Sequence, residues 1–229
     1  MKHSYEFPRP AVAADVVVFG YQDSELSLLL IERGLEPFKG MWALPGGFVR
    51  VEETLEEAAM RELAEEAGVK DVYLEQLYTF SSLQRDPRER VISVSYFALV
   101  KPSHYELAAS TDATNAKWFP VAELPDLAFD HSEIVETALK RLQGKVRYEP
   151  LGFELLPASF TLTQLQSLYE AILRRSLDKR NFRKKILSLG ILRELNKKIE
   201  NVPHRSPSLY KFDSSAYRKM KKAGIQLEI

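Results

Sequence analysis

The run from Gly47 to Val69 constrains this chain more than any other stretch. Glu62, Glu65 and Glu66 stand at i, i+3 and i+4, the spacing that gathers side chains on one side of a helix. Both ends of that helix are written into the sequence. Thr54 and Glu57 form a capping box, and Gly68 stands where a left-handed C-terminal cap belongs. Leu55, Ala58 and Ala59 occupy the same stripe one and two turns earlier. A stripe that begins apolar and ends acidic faces the protein rather than water. The fold must therefore hold an acidic patch at the end of a buried helix.

Crowded carboxylates repel and raise each other's pKa unless a cation neutralises them. Oxygen ligands of this kind suit Mg²⁺ or Mn²⁺, with water and substrate phosphate completing the shell. Glu62 and Glu66 are the first-choice metal ligands, and Glu65 is either a ligand or the general base. The catalytic set is Glu65 and Glu66 with Arg61 and Glu53, the last two read as an orienting ion pair. Gly46 and Gly47 let the backbone come close to the metal, which makes the Gly47 carbonyl a candidate further ligand.

Gly47, Glu53, Arg61, Glu62, Leu63, Glu65, Glu66, Gly68 and Val69 match every specified position of the Nudix box, G-x5-E-x7-R-E-U-x-E-E-x-G-U. The segment thus resembles the Nudix family. That resemblance implies an α/β/α sandwich around a mixed sheet, and glutamates that bind divalent metal. It also implies cleavage of a nucleoside diphosphate linked to another group. The stretch Arg85–Tyr96, with Pro87, resembles the segment that follows the box in ADP-ribose pyrophosphatases. Arg33, Arg85, Arg88 and Arg90 are candidate phosphate contacts. His131, in Phe129-Asp130-His131, is a helix-entry residue and a candidate for a place near the nucleotide.

The zero net charge hides a division. Residues 1–144 hold 14 Lys and Arg against 24 Asp and Glu, a balance of −10, and the remaining 85 residues carry +10. An acidic unit and a basic unit with different partners are expected. In the first, Val12–Phe19, Leu26–Ile31, Tyr73–Phe80, Val91–Val100 and Ala116–Phe119 read as strands, and Ser132–Leu142 as a helix. Residues 1–146 are expected to form this domain. A linker follows over 147–157, and a winged-helix domain over 158–229. There Thr161 and Gln164 repeat the capping box, and Asp178 can cap a second helix that Gly190 ends. Ile191–Ile199 and Ser208–Phe212 read as a β-hairpin.

In the second basic-domain helix, Phe182, Ile186 and Leu189 share an inward face. Lys179, Arg180, Asn181, Arg183 and Lys184 are then left to reach phosphates and base edges in the major groove of duplex DNA. His204 and Arg205 in the hairpin loop suit flanking phosphates, as do Arg218, Lys219, Lys221 and Lys222. The stretches Thr161–Glu170, Asp178–Lys185 and Tyr210–Asp213 resemble the Nudix-related transcriptional regulators (NrtR-like). Those join a nucleotide-sensing Nudix domain to a C-terminal winged helix. The resemblance implies a homodimer on operator DNA, with ADP-ribose or a relative as effector, in NAD or sugar metabolism. Some members have a damaged box and sense without hydrolysing, whereas the box here is complete, so sensor, enzyme or both stay open. One competing reading is a plain ADP-ribose pyrophosphatase whose basic module dimerises or binds another partner. Another is an RNA-linked Nudix enzyme, disfavoured by the sparse aromatic residues among the basic ones. The absence of cysteine fits a cytoplasmic protein. Neither a signal peptide nor a membrane span is expected, because the apolar runs are only strand-sized.

Overall fold

Asp15 is the one charged residue in an otherwise apolar run, and the strand that carries it is buried from Ala13 to Gly20. A strand buried on both faces belongs in the middle of a sheet. The computed structural model, which describes residues 6–107, 113–149, 151–198 and 207–223, places it there. β1 (Ala11–Gln22) lies between β2 (Glu25–Arg33) and β6 (Val91–Val100), in the order β3-β2-β1-β6-β5. β3 (Trp42–Ala43), β5 (Glu75–Phe80) and β7 (Ala113–Pro120) pair with their neighbours antiparallel. β4 (Gly46–Phe48) pairs antiparallel with β1, setting Asp15 opposite Gly46. β1 and β6 run parallel, so the sheet is mixed as expected.

Alternation along β1 and β6 sorts the two faces. Ala14, Val16 and Val18 pack with Val94, Tyr96 and Ala98 and with Ala58, Ala59, Leu63 and Ala67 of α1 (Leu55–Ala67). Small residues at 58, 59 and 67 let the helix lie close to the sheet, and fully buried Leu63 fills the space between them. The capping box of Thr54 and Glu57 is present, and Gly68 closes the helix in the left-handed conformation at φ 73°. Asp15, Ser93 and Ser95 face the other way, toward the start of α2 (His131–Tyr148), whose Ile134, Val135 and Ala138 are buried.

The chain divides into two compact units, Met1–Gly20 with Ser27–Ala138, and Tyr21–Leu26 with Leu139–Ile229. In the second, α3 (Leu162–Leu173) begins at the Thr161–Gln164 capping box and buries Leu165, Leu168, Tyr169 and Ile172. α4 (Lys179–Ser188) is capped by Asp178 and buries Phe182 and Ile186, while Leu189 is half-buried. β8 (Leu192–Lys198) and β9 (Ser208–Phe212) form the antiparallel hairpin.

Sequence periodicity missed several features. α2 continues to Tyr148, so the first residues of the expected linker are helical. Further on, Phe153, Leu155 and Leu156 are buried around a 3-10 turn. α5 (Ser214–Lys222) follows the hairpin, its first turn capped by Asp213, whose carboxylate accepts from Ser215 and Ala216. Its nine residues span little more than two turns, with only Ala216, Tyr217 and Met220 to mark the inward face. β3 and β4, two and three residues long, are likewise below what alternation can reveal.

Candidate active site and nucleic-acid interface

α1 ends in a web organised by Arg61. Its Nε and Nη2 donate to both oxygens of Glu53, at 2.9 and 2.6 Å. Nη1 donates to Glu62 at 2.7 Å and Glu65 at 3.3 Å, and Nη2 also reaches the Phe48 carbonyl. The bidentate grip pulls the Glu53 carboxyl down to a pKa of about 2. Arg61 itself is raised, chiefly by Glu53. Glu62 is different. Burial pushes its pKa up, against the pull of Arg61. A Cβ on Gly47 would overlap the Glu62 carboxylate, so glycine is what lets that side chain lie against the backbone of β4.

Glu66 is nearly buried, and one of its oxygens accepts from Gly46 N at 2.9 Å. Gly46 packs so closely on Asp15 and the Ala14 carbonyl that a Cβ would overlap both. Two residues earlier, Leu44 N donates to His131 Nδ1 at 2.9 Å. Burial lowers the His131 pKa, partly offset by Asp15 and Asp130. Asp15 accepts from Ser93 Oγ and, at 3.2 Å, from Arg85 Nη2. Arg85 in turn grips Asp130 through bonds of 2.9 and 2.8 Å. Burial opposes its charge, but Asp130 and Asp15 keep its pKa raised.

These groups border a cleft of about 370 Å³, lined also by Arg33, Arg50, Phe48, Arg88 and Phe129. The Arg33 guanidinium lies 4.7 Å from the centre of the Phe129 ring. Arg88, held by Asp86, lies 5.1 Å from Phe48 and 5.8 Å from Phe129. Of the candidates from sequence, Glu62, Glu66, Arg61, Gly47, Arg33, Arg85, Arg88 and His131 border the cleft. Glu53 and Glu65 join it through Arg61. Arg90 is not among the residues that line the cleft and instead donates to the Ser82 carbonyl. Sequence reasoning did not single out Asp15, Asp130 or Phe129 as site residues. A lone carboxylate inside an apolar strand was the available signal for Asp15.

The donor set suits a hard divalent cation. Glu62 and Glu66 offer carboxylate oxygens at one end of the cleft, and Gly47 keeps the intervening space free of a Cβ. Among the described residues no three His, Asp or Glu side chains converge as a ready cage, because Arg61 draws Glu62 and Glu65 toward itself. Mg²⁺ does not require such a cage, since it is usually held by one or two carboxylates plus waters and substrate phosphates.

On the second unit, Lys179, Arg180, Asn181 and Lys184 of α4 are exposed. Arg183 is half-buried and donates to Thr163 Oγ1 of α3 at 3.0 Å. Arg218, Lys219 and Lys222 are exposed on α5. His204 and Arg205 lie outside the described residues. No helix among the described residues is long and apolar enough to cross a membrane.

Residues 9–138 match the NUDIX domain family, and residues 152–212 match the NrtR DNA-binding winged helix domain. The ADPR responsive transcriptional repressor NtrR of Acinetobacter baylyi is 36% identical over 93% of this chain and 86% of its own length. The chain belongs to the NrtR family. Its fold agrees with that of Shewanella oneidensis NrtR complexed with a 27mer DNA, at a TM-score of 0.78 and 32% identity. That match covers 94% of this chain and 97% of the other. The Nudix half of this NrtR-family chain is also similar to the ADP-ribose pyrophosphatase of Methanocaldococcus jannaschii. Identity there is 42%, over 59% of this chain and 76% of the enzyme.

Proposed function

We propose that this NrtR-family chain is a transcriptional repressor that binds operator DNA as a homodimer and responds to ADP-ribose in the Nudix cleft. One observation carries the reading: similarity to an ADPR responsive repressor runs through both domains in the same order, over 93% of the chain. α4 supplies the recognition helix, with Lys179, Arg180, Asn181 and Lys184 available to phosphates and base edges. The test is a DNA-shift assay on the chain's own upstream region. ADP-ribose is expected to release the DNA, and a shift unaffected by saturating ADP-ribose would reject the reading.

A second activity rests on the complete Nudix box and the similarity to an ADP-ribose pyrophosphatase. The Nudix domain also hydrolyses ADP-ribose to AMP and ribose 5-phosphate. Glu62, Glu66 and the Gly47 carbonyl would hold Mg²⁺ or Mn²⁺, which would supply Lewis-acid polarisation of the diphosphate and activation of water. Arg61, braced by Glu53, holds Glu62 and Glu65 in place, and Glu65 is a further ligand or accepts the proton of the attacking water. Arg33 and Arg88 present cations and the adjoining Phe129 and Phe48 rings to the nucleotide. Arg85, buried between Asp15 and Asp130, shapes the floor of the cleft.

A further inference from the structure

The segment Leu44-Pro45-Gly46 has two backbone donors, because Pro45 has no N–H. Each of the two meets a side chain from a different helix. Leu44 N donates to His131 Nδ1, on the first residue of α2, and Gly46 N donates to Glu66 Oε2 on α1. Val16 N bonds the Pro45 carbonyl, Ala128 N bonds the Trp42 carbonyl, and Gly46 rests directly on Asp15. Leu44 and His131 are both buried, and the imidazole is the acceptor that satisfies this amide. A ring that accepts at Nδ1 and is neutral carries its proton on Nε2, which lies 3.8 Å from Asp15 Oδ1. The Leu44 amide thereby sets the tautomer, and Asp15 stands nearby without a direct hydrogen bond to the ring.

From this geometry we infer that His131 is a positioning residue for the metal-binding carboxylate of Glu66. It acts through Leu44 and Gly46. The inference rests on the reading of Glu66 as a ligand. Loss of the imidazole frees the Leu44 amide, lets the Leu44–Gly46 segment shift, and moves the Gly46 amide that donates to Glu66. Outer partners of this kind commonly change metal affinity or activity by about 10–100-fold.

Three variants of the full chain separate positioning from mere packing. His131→Ala removes the acceptor. His131→Asn places an amide oxygen close to where Nδ1 stands, and His131→Gln places one nearer Nε2. Two quantities are read for each: affinity for Mn²⁺ alone, by electron paramagnetic resonance, and kcat and KM for ADP-ribose. His131→Ala is expected to weaken Mn²⁺ binding about 10–100-fold and to lower kcat while leaving KM nearly unchanged. His131→Asn is expected to restore both and His131→Gln neither. Parental Mn²⁺ affinity in His131→Ala overturns the inference, as does equal rescue by asparagine and glutamine. Should the parent chain fail to cleave ADP-ribose, the hydrolase reading falls while Mn²⁺ affinity still decides the role of His131.

Discussion

Arg61 holds Glu53 through two hydrogen bonds, at 2.9 and 2.6 Å, and through the same guanidinium reaches Glu62 and Glu65. One cation thus ties the loop before α1 to the acidic end of the helix. Removing Glu53 should disturb the site without removing any proposed ligand. Glu53→Gln is expected to lower kcat for ADP-ribose while leaving the helical circular dichroism intact. Unchanged kcat would show that the pair is not needed to orient Glu62 and Glu65.

The same pair sets an acid limit. The folded pKa of Glu53 is depressed from 4.5 to about 2 by Arg61. The unfolded chain therefore binds this proton at higher pH than the folded one. Stability from the pair is full above pH 4.5 and is lost as pH falls toward 2. Thermal unfolding of the parent should steepen with acid across that window more than that of Glu53→Gln. Identical pH profiles would contradict the assignment.

Loss of Glu66 should spare the fold and remove the chemistry. Glu66→Gln keeps an oxygen able to accept from Gly46 N but loses the anionic charge. ADP-ribose cleavage dependent on Mg²⁺ or Mn²⁺ is expected to fall by at least about 100-fold, the upper range for disturbing a metal site. Turnover at the parental rate, or turnover without metal, would reject the site.

Packing gives a different outcome. Leu63 is fully buried between α1 and the sheet. Leu63→Ala is expected to destabilise the Nudix domain by about 2–5 kcal/mol, the range for a large-to-small core change. Urea unfolding monitored by near-ultraviolet circular dichroism measures it. A loss below about 1 kcal/mol would mean that the site collapses around the smaller side chain.

On DNA, the exposed cations of α4 should act through counterions. Arg180→Ala and Lys184→Ala are each expected to weaken duplex binding. Each should also reduce the slope of log K against log salt by about 0.9 per lost phosphate contact. Parental affinity and slope in both variants would remove α4 from the interface.

Much of this was legible in the sequence because the signals were local. The Thr54–Glu57 box, Gly68, and the spacing of Glu62, Glu65 and Glu66 all fall within one helix and its caps. The winged helix was legible for the same reason, from Thr161, Asp178 and the burial period of α3. The floor of the cleft was not. Asp15, Arg85 and Asp130 meet from a strand, a loop and a helix entry, with 70 residues between Asp15 and Arg85 and 45 between Arg85 and Asp130. No local period records such a meeting. Arg85 looked like a phosphate contact for that reason, whereas its guanidinium is engaged by buried Asp15 and half-buried Asp130. Arg183 likewise looked outward on a helical wheel, but its side chain lies against Thr163 of α3.

A repressor that responds to ADP-ribose couples nucleotide binding to DNA binding, and coupling is reciprocal. If ADP-ribose lowers operator affinity by some factor, operator DNA must lower ADP-ribose affinity by the same factor, typically about 5–150-fold. The most direct measurement is calorimetric titration of ADP-ribose into a Glu62→Gln variant, slowed in turnover, with and without saturating operator duplex. The expected result is weaker ADP-ribose binding on DNA, by the factor seen in the converse titration. Equal ADP-ribose affinity in the two titrations would mean that the Nudix cleft and the DNA-binding domain are uncoupled.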